Sequence, residues 1–258
     1  MTDAASYVTS RDNALLKDLR KLAQDSHAYR RQGRIWLEGD HLCRAALQRG
    51  QRPSHAVFQS SWFDRVGHQW LDTGGKVVVI DDALFDSISA LESPGRMGFV
   101  LPLPAAPQLQ ADAPTVILDG LQDAGNVGTI LRSAGAFGFR QVLAMKGTAA
   151  LWSPKVLRAG MGAHFGLHLL ESLEAAQLDA LKVPLLATSS HQGEFLHRAM
   201  LPWPCAWVLG HEGQGVSAAL VDRAAQFVRI VQPGGEESLN VGAAAAICLH
   251  ASAAAQAR

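Results

Sequence analysis

Residues 115–145 read TVILDGLQDAGNVGTILRSAGAFGFRQVLAM, and this stretch decides the fold class. TVILDG is an apolar run of strand length that ends on a polar residue and a glycine. NVGTILRSAGAFG has helical spacing and closes on Gly138, placed as a C-terminal helix stop. QVLAM is the next strand. Downstream the alternation repeats. SPKVLRAG reads as a helix, FGLHLL as a strand, LEAAQLDALK as a helix and VPLLATS as a strand. CAWVLG, VSAALVDRAA and FVRIVQ give strand, helix and strand, and ESLNVGAAAAICLH (237–250) gives the last helix. Strands rich in Val, Ile and Leu, separated by helices, predict a parallel sheet covered on both faces.

Upstream, residues 11–31 read as one helix. RIWLEG is a strand, DHLCRAALQRG a helix closed by Gly50, HAVFQ a strand and SWFDRVGHQWLDTG a helix. KVVVID, DALFDSIS and MGFVLP complete a small α/β domain over residues 1–101. Four prolines (Pro102, Pro104, Pro107 and Pro114) fall in or beside an aperiodic stretch, so 102–113 reads as a linker and 114–258 as a second domain.

A chain of 258 residues has room for two domains, and its 48% apolar content supplies their cores. Net charge is zero, yet residues 11–34 hold seven basic side chains (Arg11, Lys17, Arg20, Lys21, Arg30, Arg31, Arg34) against three acidic ones. Such a local basic face can bind phosphate in a neutral molecule. The three cysteines (Cys43, Cys205, Cys248) form no CxxC pair, which fits a reduced intracellular protein. No apolar leader or membrane-length run occurs, so a soluble cytoplasmic protein is expected.

In open parallel sheets, ligands sit beyond the carboxyl ends of the strands. There the chain places LQDAGNVG, HEGQGVS and PGGEESLN, three polar glycine-bearing loops. None has the GxGxxG or GxxxxGK[ST] spacing, which argues against dinucleotide enzymes and P-loop ATPases. No GxSxG elbow supports a serine hydrolase. His164 and His168 have no third ligand nearby, so no metal is expected.

Taken together, NVGTILRSAGAFG, VLGHEGQGVS and IVQPGGEESLNVGAAAAI resemble, in order, the three motifs of the SpoU class of RNA 2′-O-methyltransferases. SPKVLRAGMGAHF is similar to the segment that class carries between its first two motifs. NALLKDLRKL, YRRQG and LEGDHL resemble the RNA substrate-binding domain of many members. The resemblance implies an α/β fold: a small N-terminal RNA-binding domain, then a parallel methyltransferase domain whose C-terminal segment is threaded as a trefoil knot. It also implies S-adenosyl-L-methionine as cofactor, a homodimer formed through the second domain, and structured RNA as substrate, ribosomal RNA before tRNA. Two other classes remain: a non-catalytic RNA-binding ribosome-assembly protein and a small-molecule methyltransferase on the same fold.

The same resemblance assigns roles. Arg132 would act on the ribose hydroxyl. A guanidinium holds its proton, so gripping the neighbouring phosphate and stabilising a developing alkoxide suits it better than serving as a base. Asn126 would hold Arg132 or the ribose, and Glu212 would orient Arg132 or a loop N–H. Ser238 and Asn240 would shape the acceptor side, and as good N-cap types they suit the start of the last helix as well. Gly210, Ile230 and Leu239 would meet the cofactor through backbone groups, with Leu209 and Thr188 nearby. Arg30, Arg31 and Arg34 are the candidate RNA contacts. Two positions depart from the class: His211, where Asn or another small polar residue is more usual, and Gly242, where Ser is common.

Overall fold

The computed structural model describes residues 5–189, 191–234 and 239–256, apart from the side chain of His68. The chain forms two compact units.

The first unit is built on β1 (Ser6–Val8), α1 (Ala14–Gln24), α2 (Ala28–Gln32), β2 (Arg34–Glu38), α3 (Asp40–Gln48), β3 (His55–Gln59), α4 (Ser60–Val66), β4 (Lys76–Ile80), α5 (Asp82–Asp86) and β5 (Met97–Pro102). Its sheet runs β1-β4-β3-β5-β2. β1, β4 and β3 are parallel, whereas β5 is antiparallel to both β3 and β2. The expected helix over 11–31 is two helices. Asp25 ends α1 in an extended conformation, and its Oδ1 accepts the His27 N–H at 2.8 Å, so the side chain offers the backbone an alternative to the next helical turn. The helix expected over 61–74 stops at Val66 and continues as a single 3-10 turn, Gly67–Trp70. β1 has only three residues, too few for periodicity to mark.

The second unit holds β6 (Thr115–Asp119), α6 (Ala124–Ala136), β7 (Gln141–Met145), β8 (His168–Leu173), β9 (Leu185–Thr188), β10 (Glu194–Phe195), β11 (Ala206–Gly210), α8 (Ala218–Val221), β12 (Gln226–Arg229) and α9 (Val241–Gln256). Between β7 and β8 the chain lends residues 152–165, with α7 (Pro154–Gly160), to the first unit, where Val156 and Leu157 are buried. The second sheet runs β10-β12-β9-β11-β6-β7-β8, and each of its pairings is parallel. Two expected elements shift. The strand FGLHLL begins only at His168, after a 3-10 turn, and LEAAQLDALK forms a 3-10 helix, Ala175–Ala180, not an α-helix.

Strand residues alternate between two apolar layers. Ile117, Leu143, Ala206 and Val208 pack with Leu178 and Leu220 on one face. On the other, Trp207 Nε1 donates to Ser252 Oγ of α9 at 2.9 Å, a buried polar contact in an otherwise apolar layer. α6 and α9 pack together on that side. Small residues allow the approach: a Cβ on Gly242 would lie 3.4 Å from Thr129 Cγ2 and 3.1 Å from Asn240 Oδ1.

Candidate functional site

β6 and β11 are neighbours, with Asp119 opposite Gly210 at their carboxyl ends. From β6 the chain moves outward through β7 to β8; from β11 it moves the other way to β12. The strand order therefore reverses between β6 and β11, and the loops that follow them open a crevice where such sheets bind ligands.

Three loops are tied together there. The Glu212 carboxylate accepts the Gln122 N–H and the Asp123 N–H, both at 3.3 Å, and the Asn126 side-chain amide at 3.2 Å. Burial acts to raise the Glu212 pKa. Its own backbone N–H and those donors outweigh burial, so the carboxyl sits below the usual glutamate range. Asn126 Oδ1 in turn accepts the Asn240 side-chain amide at 2.9 Å. Asn240 Oδ1 accepts the Gly242 and Ala243 N–H groups at 2.9 and 3.2 Å, capping α9 as its residue type suggests. The chain Glu212–Asn126–Asn240 thus joins the loops after β6 and β11 to the start of the last helix. Ser238, the remaining acceptor-side candidate, lies outside the described residues.

Arg132 is not part of this chain. It follows Asn126 by six residues, about 9 Å along the helix and on another face. Its side chain is exposed and makes no hydrogen bond or ion pair among the described residues. The expected grip of Asn126 on Arg132 is therefore absent, because both ends of the Asn126 amide are engaged elsewhere. The Glu212 carboxylate meets loop N–H groups, those of Gln122 and Asp123, and not Arg132.

Gly210 has no room for a side chain: a Cβ there would stand 2.2 Å from Gly215 C and Val216 N. The loop curls back on the strand end through the Gly215 N–H, which donates to the His211 carbonyl at 2.8 Å. His211 Nδ1 accepts the Gly213 and Gln214 N–H groups at 3.0 and 3.3 Å. The ring nitrogen does here what an Asn side-chain oxygen does in an Asx-turn, which accounts for this departure from the usual residue. Thr188 closes β9, its Oγ1 donating to the Val208 carbonyl at 3.4 Å. Leu209 is buried, Ile230 half-buried, and the side chains of Val231 and Leu239 stand 51% and 39% exposed.

Sequence reading misses several supports. Asp123 Oδ1 accepts the Asn126 N–H at 2.7 Å and caps α6; an Asp just ahead of a helical pattern is the available signal. Asp119 Oδ2 accepts the Ser217 N–H at 2.7 Å and pins the far end of the β11 loop, a pairing across 98 residues that no local pattern marks. In the first unit, Arg31 pairs with Asp25 and Arg34 with Asp18, the latter at 2.9 Å. Arg30 Nε donates to Tyr29 Oη at 3.0 Å. The described residues hold no group of three or more His, Cys, Asp or Glu side chains suited to a metal ion. None of their helices is long and apolar enough to cross a membrane.

An open parallel α/β sheet, with three polar loops fastened together at its switch point, defines a ligand-binding α/β unit. Residues 113–250 match the SpoU rRNA Methylase family, and residues 13–97 match the MRM3-like substrate binding domain. The chain belongs to the SpoU family. It is 28% identical to the 23S rRNA (guanosine(2553)-2'-O)-methyltransferase RlmP of Bacillus subtilis (strain 168), over 94% of this chain and 97% of that protein. A putative RNA methyltransferase of the TrmH family from Porphyromonas gingivalis superposes with a TM-score of 0.80 at 30% identity, covering 94% of this chain and 98% of that one. The AdoMet-bound rRNA methyltransferase of Sinorhizobium meliloti superposes with a TM-score of 0.81 at 25% identity, covering 96% and 97%.

Proposed function

We propose that this chain transfers a methyl group from S-adenosyl-L-methionine to a ribose 2′-hydroxyl of ribosomal RNA. The observation that carries the reading is the Glu212–Asn126–Asn240 chain, which fixes all three motif loops around one crevice. The cofactor, when bound, supplies the methyl group on a sulfonium that is already a good leaving group. The residues present suit it. Gly210 lets the loop backbone fold tightly against the strand end, and Leu209, Ile230 and Leu239 offer apolar walls beside backbone N–H and C=O groups. Thr188 closes the adjacent strand.

The demand on the protein falls on the acceptor. The hydroxyl sheds its proton to solvent as it attacks, since a guanidinium cannot take it, and the reacting atoms must be held in line at roughly 3 Å. Arg132, exposed and uncommitted among the described residues, holds the adjacent phosphate and stabilises charge developing on the hydroxyl oxygen. Asn126, Asn240 and Ser238 shape the pocket in which that oxygen sits. Residues 1–101 present the RNA through Arg30, Arg31 and Arg34, and residues 102–113 link them to the catalytic part, 114–258. The same reading includes a knotted C-terminal segment, a homodimer through the second domain, no metal requirement and a cytoplasmic location.

The test is incubation of purified protein with methyl-labelled S-adenosylmethionine and either ribosomal RNA or tRNA, followed by mapping of ribose methylation. Label at one ribosomal ribose is expected. Label on tRNA alone would move the substrate, and cofactor binding without any RNA labelling would leave only a binding protein.

A further inference from the structure

Asn126, Thr129 and Arg132 follow one another at three-residue spacing on α6. Thr129 therefore stands between the Glu212–Asn126–Asn240 chain and Arg132, about 4.5 Å along the helix axis from each of its two neighbours. Its side chain is exposed. Two distances show what it stands beside: a Cβ on Gly242 would lie 3.4 Å from Thr129 Cγ2 and 3.1 Å from Asn240 Oδ1. Both atoms crowd one point, so Thr129 and Asn240 are neighbours where α6 meets the start of α9. The methyl of Thr129, not its hydroxyl, is the part that meets Gly242. A helical threonine often turns its hydroxyl back on the carbonyl four residues before it. Thr129 Oγ1 makes no hydrogen bond among the described residues, to Gly125 or to any other.

We propose that Thr129 is a substrate-binding residue, its hydroxyl donating to a phosphate oxygen of the nucleotide that accepts the methyl group, beside the Arg132 guanidinium. The inference rests on the function proposed above. Side chains on a helix lean toward its N-terminus, so Arg132 reaches back over the turn that carries Thr129, and both can close on one anion. Phosphate oxygens only accept, and threonine hydroxyls are ordinary donors to them. The two donors differ in kind. Arg132 brings charge on a long side chain that nothing among the described residues holds. Thr129 brings a neutral donor on a stiff, branched side chain whose methyl is seated against Gly242. Arg132 thus supplies the attraction, and Thr129 fixes where the phosphate stops relative to Asn240.

The test is steady-state methylation of ribosomal RNA, with calorimetric titration of S-adenosylhomocysteine alongside. Thr129→Val removes the hydroxyl and keeps the branched shape, whereas Thr129→Ser keeps the hydroxyl. Thr129→Val should lower kcat/KM for RNA by roughly tenfold or more, the scale of one hydrogen bond to a charged group, chiefly through KM. Its affinity for S-adenosylhomocysteine should match the wild type. Thr129→Ala, a better helix former, should behave as Thr129→Val does, and Thr129→Ser should stay within a few-fold of wild type. In an Arg132→Ala background Thr129→Val should cost little more, because both donors serve one phosphate. Wild-type kcat/KM in Thr129→Val and Thr129→Ala, an equal loss in Thr129→Ser, or a full further loss on top of Arg132→Ala overturns the assignment of Thr129 alone. Failure of the wild type to methylate RNA overturns the functional reading and the inference with it.

Discussion

Asn126 and Asn240, 114 residues apart in the chain, meet side chain to side chain at 2.9 Å. The contact fixes the amide of Asn126. Its oxygen faces Asn240, so its nitrogen must face Glu212. Asn126→Asp would keep the first bond, lose the second and set two carboxylates together. A loss of roughly 1–2 kcal/mol is expected in urea denaturation. Adding Glu212→Gln should restore part of it, because the new amide can donate where the old carboxylate accepted. A double variant no more stable than Asn126→Asp would remove the pair from the account.

Glu212 also sets an acid limit. Its folded pKa lies below the ordinary carboxylate value because the hydrogen bonds outweigh burial. The unfolded chain therefore takes up the proton first as pH falls. The contribution of this carboxylate is full above the unfolded glutamate pKa and is lost as pH falls through the lower, folded one. The stability gap between wild type and Glu212→Gln should close across that acid window. A gap that stays constant from neutral to strongly acid pH would contradict it.

Much of the second sheet is legible in the sequence. TVILDG, QVLAM and CAWVLG are strands as their composition demands, since a strand buried on both faces needs an unbroken apolar run. Asn240 is readable as a cap because capping is local. The Glu212 contacts are not readable, because they join residues 86 to 90 apart whose meeting depends on β11 inserting beside β6. Nor is the split of the first helix, where one Asp25 side chain outcompetes a helical turn.

Arg132→Ala should change folding stability by less than about 0.5 kcal/mol, as expected for an exposed side chain without partners among the described residues. Affinity for S-adenosylhomocysteine should stay within a few-fold. Methyl transfer should fall by roughly a hundredfold or more, the usual cost of removing a group that stabilises developing charge. Near wild-type turnover would remove Arg132 from the reaction.

The arginines of the first unit carry an expectation about salt. Replacing Arg30, Arg31 and Arg34 together should weaken RNA binding and flatten its salt dependence by up to about one unit of slope for each phosphate no longer neutralised. Because Asp25 and Asp18 already pair with Arg31 and Arg34, the joint change Asp18→Asn and Asp25→Asn should do the reverse. Filter binding across a salt series checks both, and unchanged slopes in both sets would take these arginines out of the RNA surface.

All three cysteines are buried. Burial pushes the Cys205 and Cys248 thiols up to about 12 and raises Cys43 as well. Native protein at pH 8 should therefore resist thiol reagents that need the thiolate, and denaturant should release three reactive groups. Rapid native labelling at any of them would show that its surroundings open on the timescale of the assay.

The loan of residues 152–165 bears on how such a chain can be rearranged by recombination. A crossover within 102–113 looks like a clean seam, yet it would carry α7 away from the sheet of the first unit, and with it Val156 and Leu157. A descendant keeping only the downstream portion inherits two side chains in search of cover. It must alter them or recruit another surface to shield them, so the gene's apparent modularity exceeds that of the folded molecule.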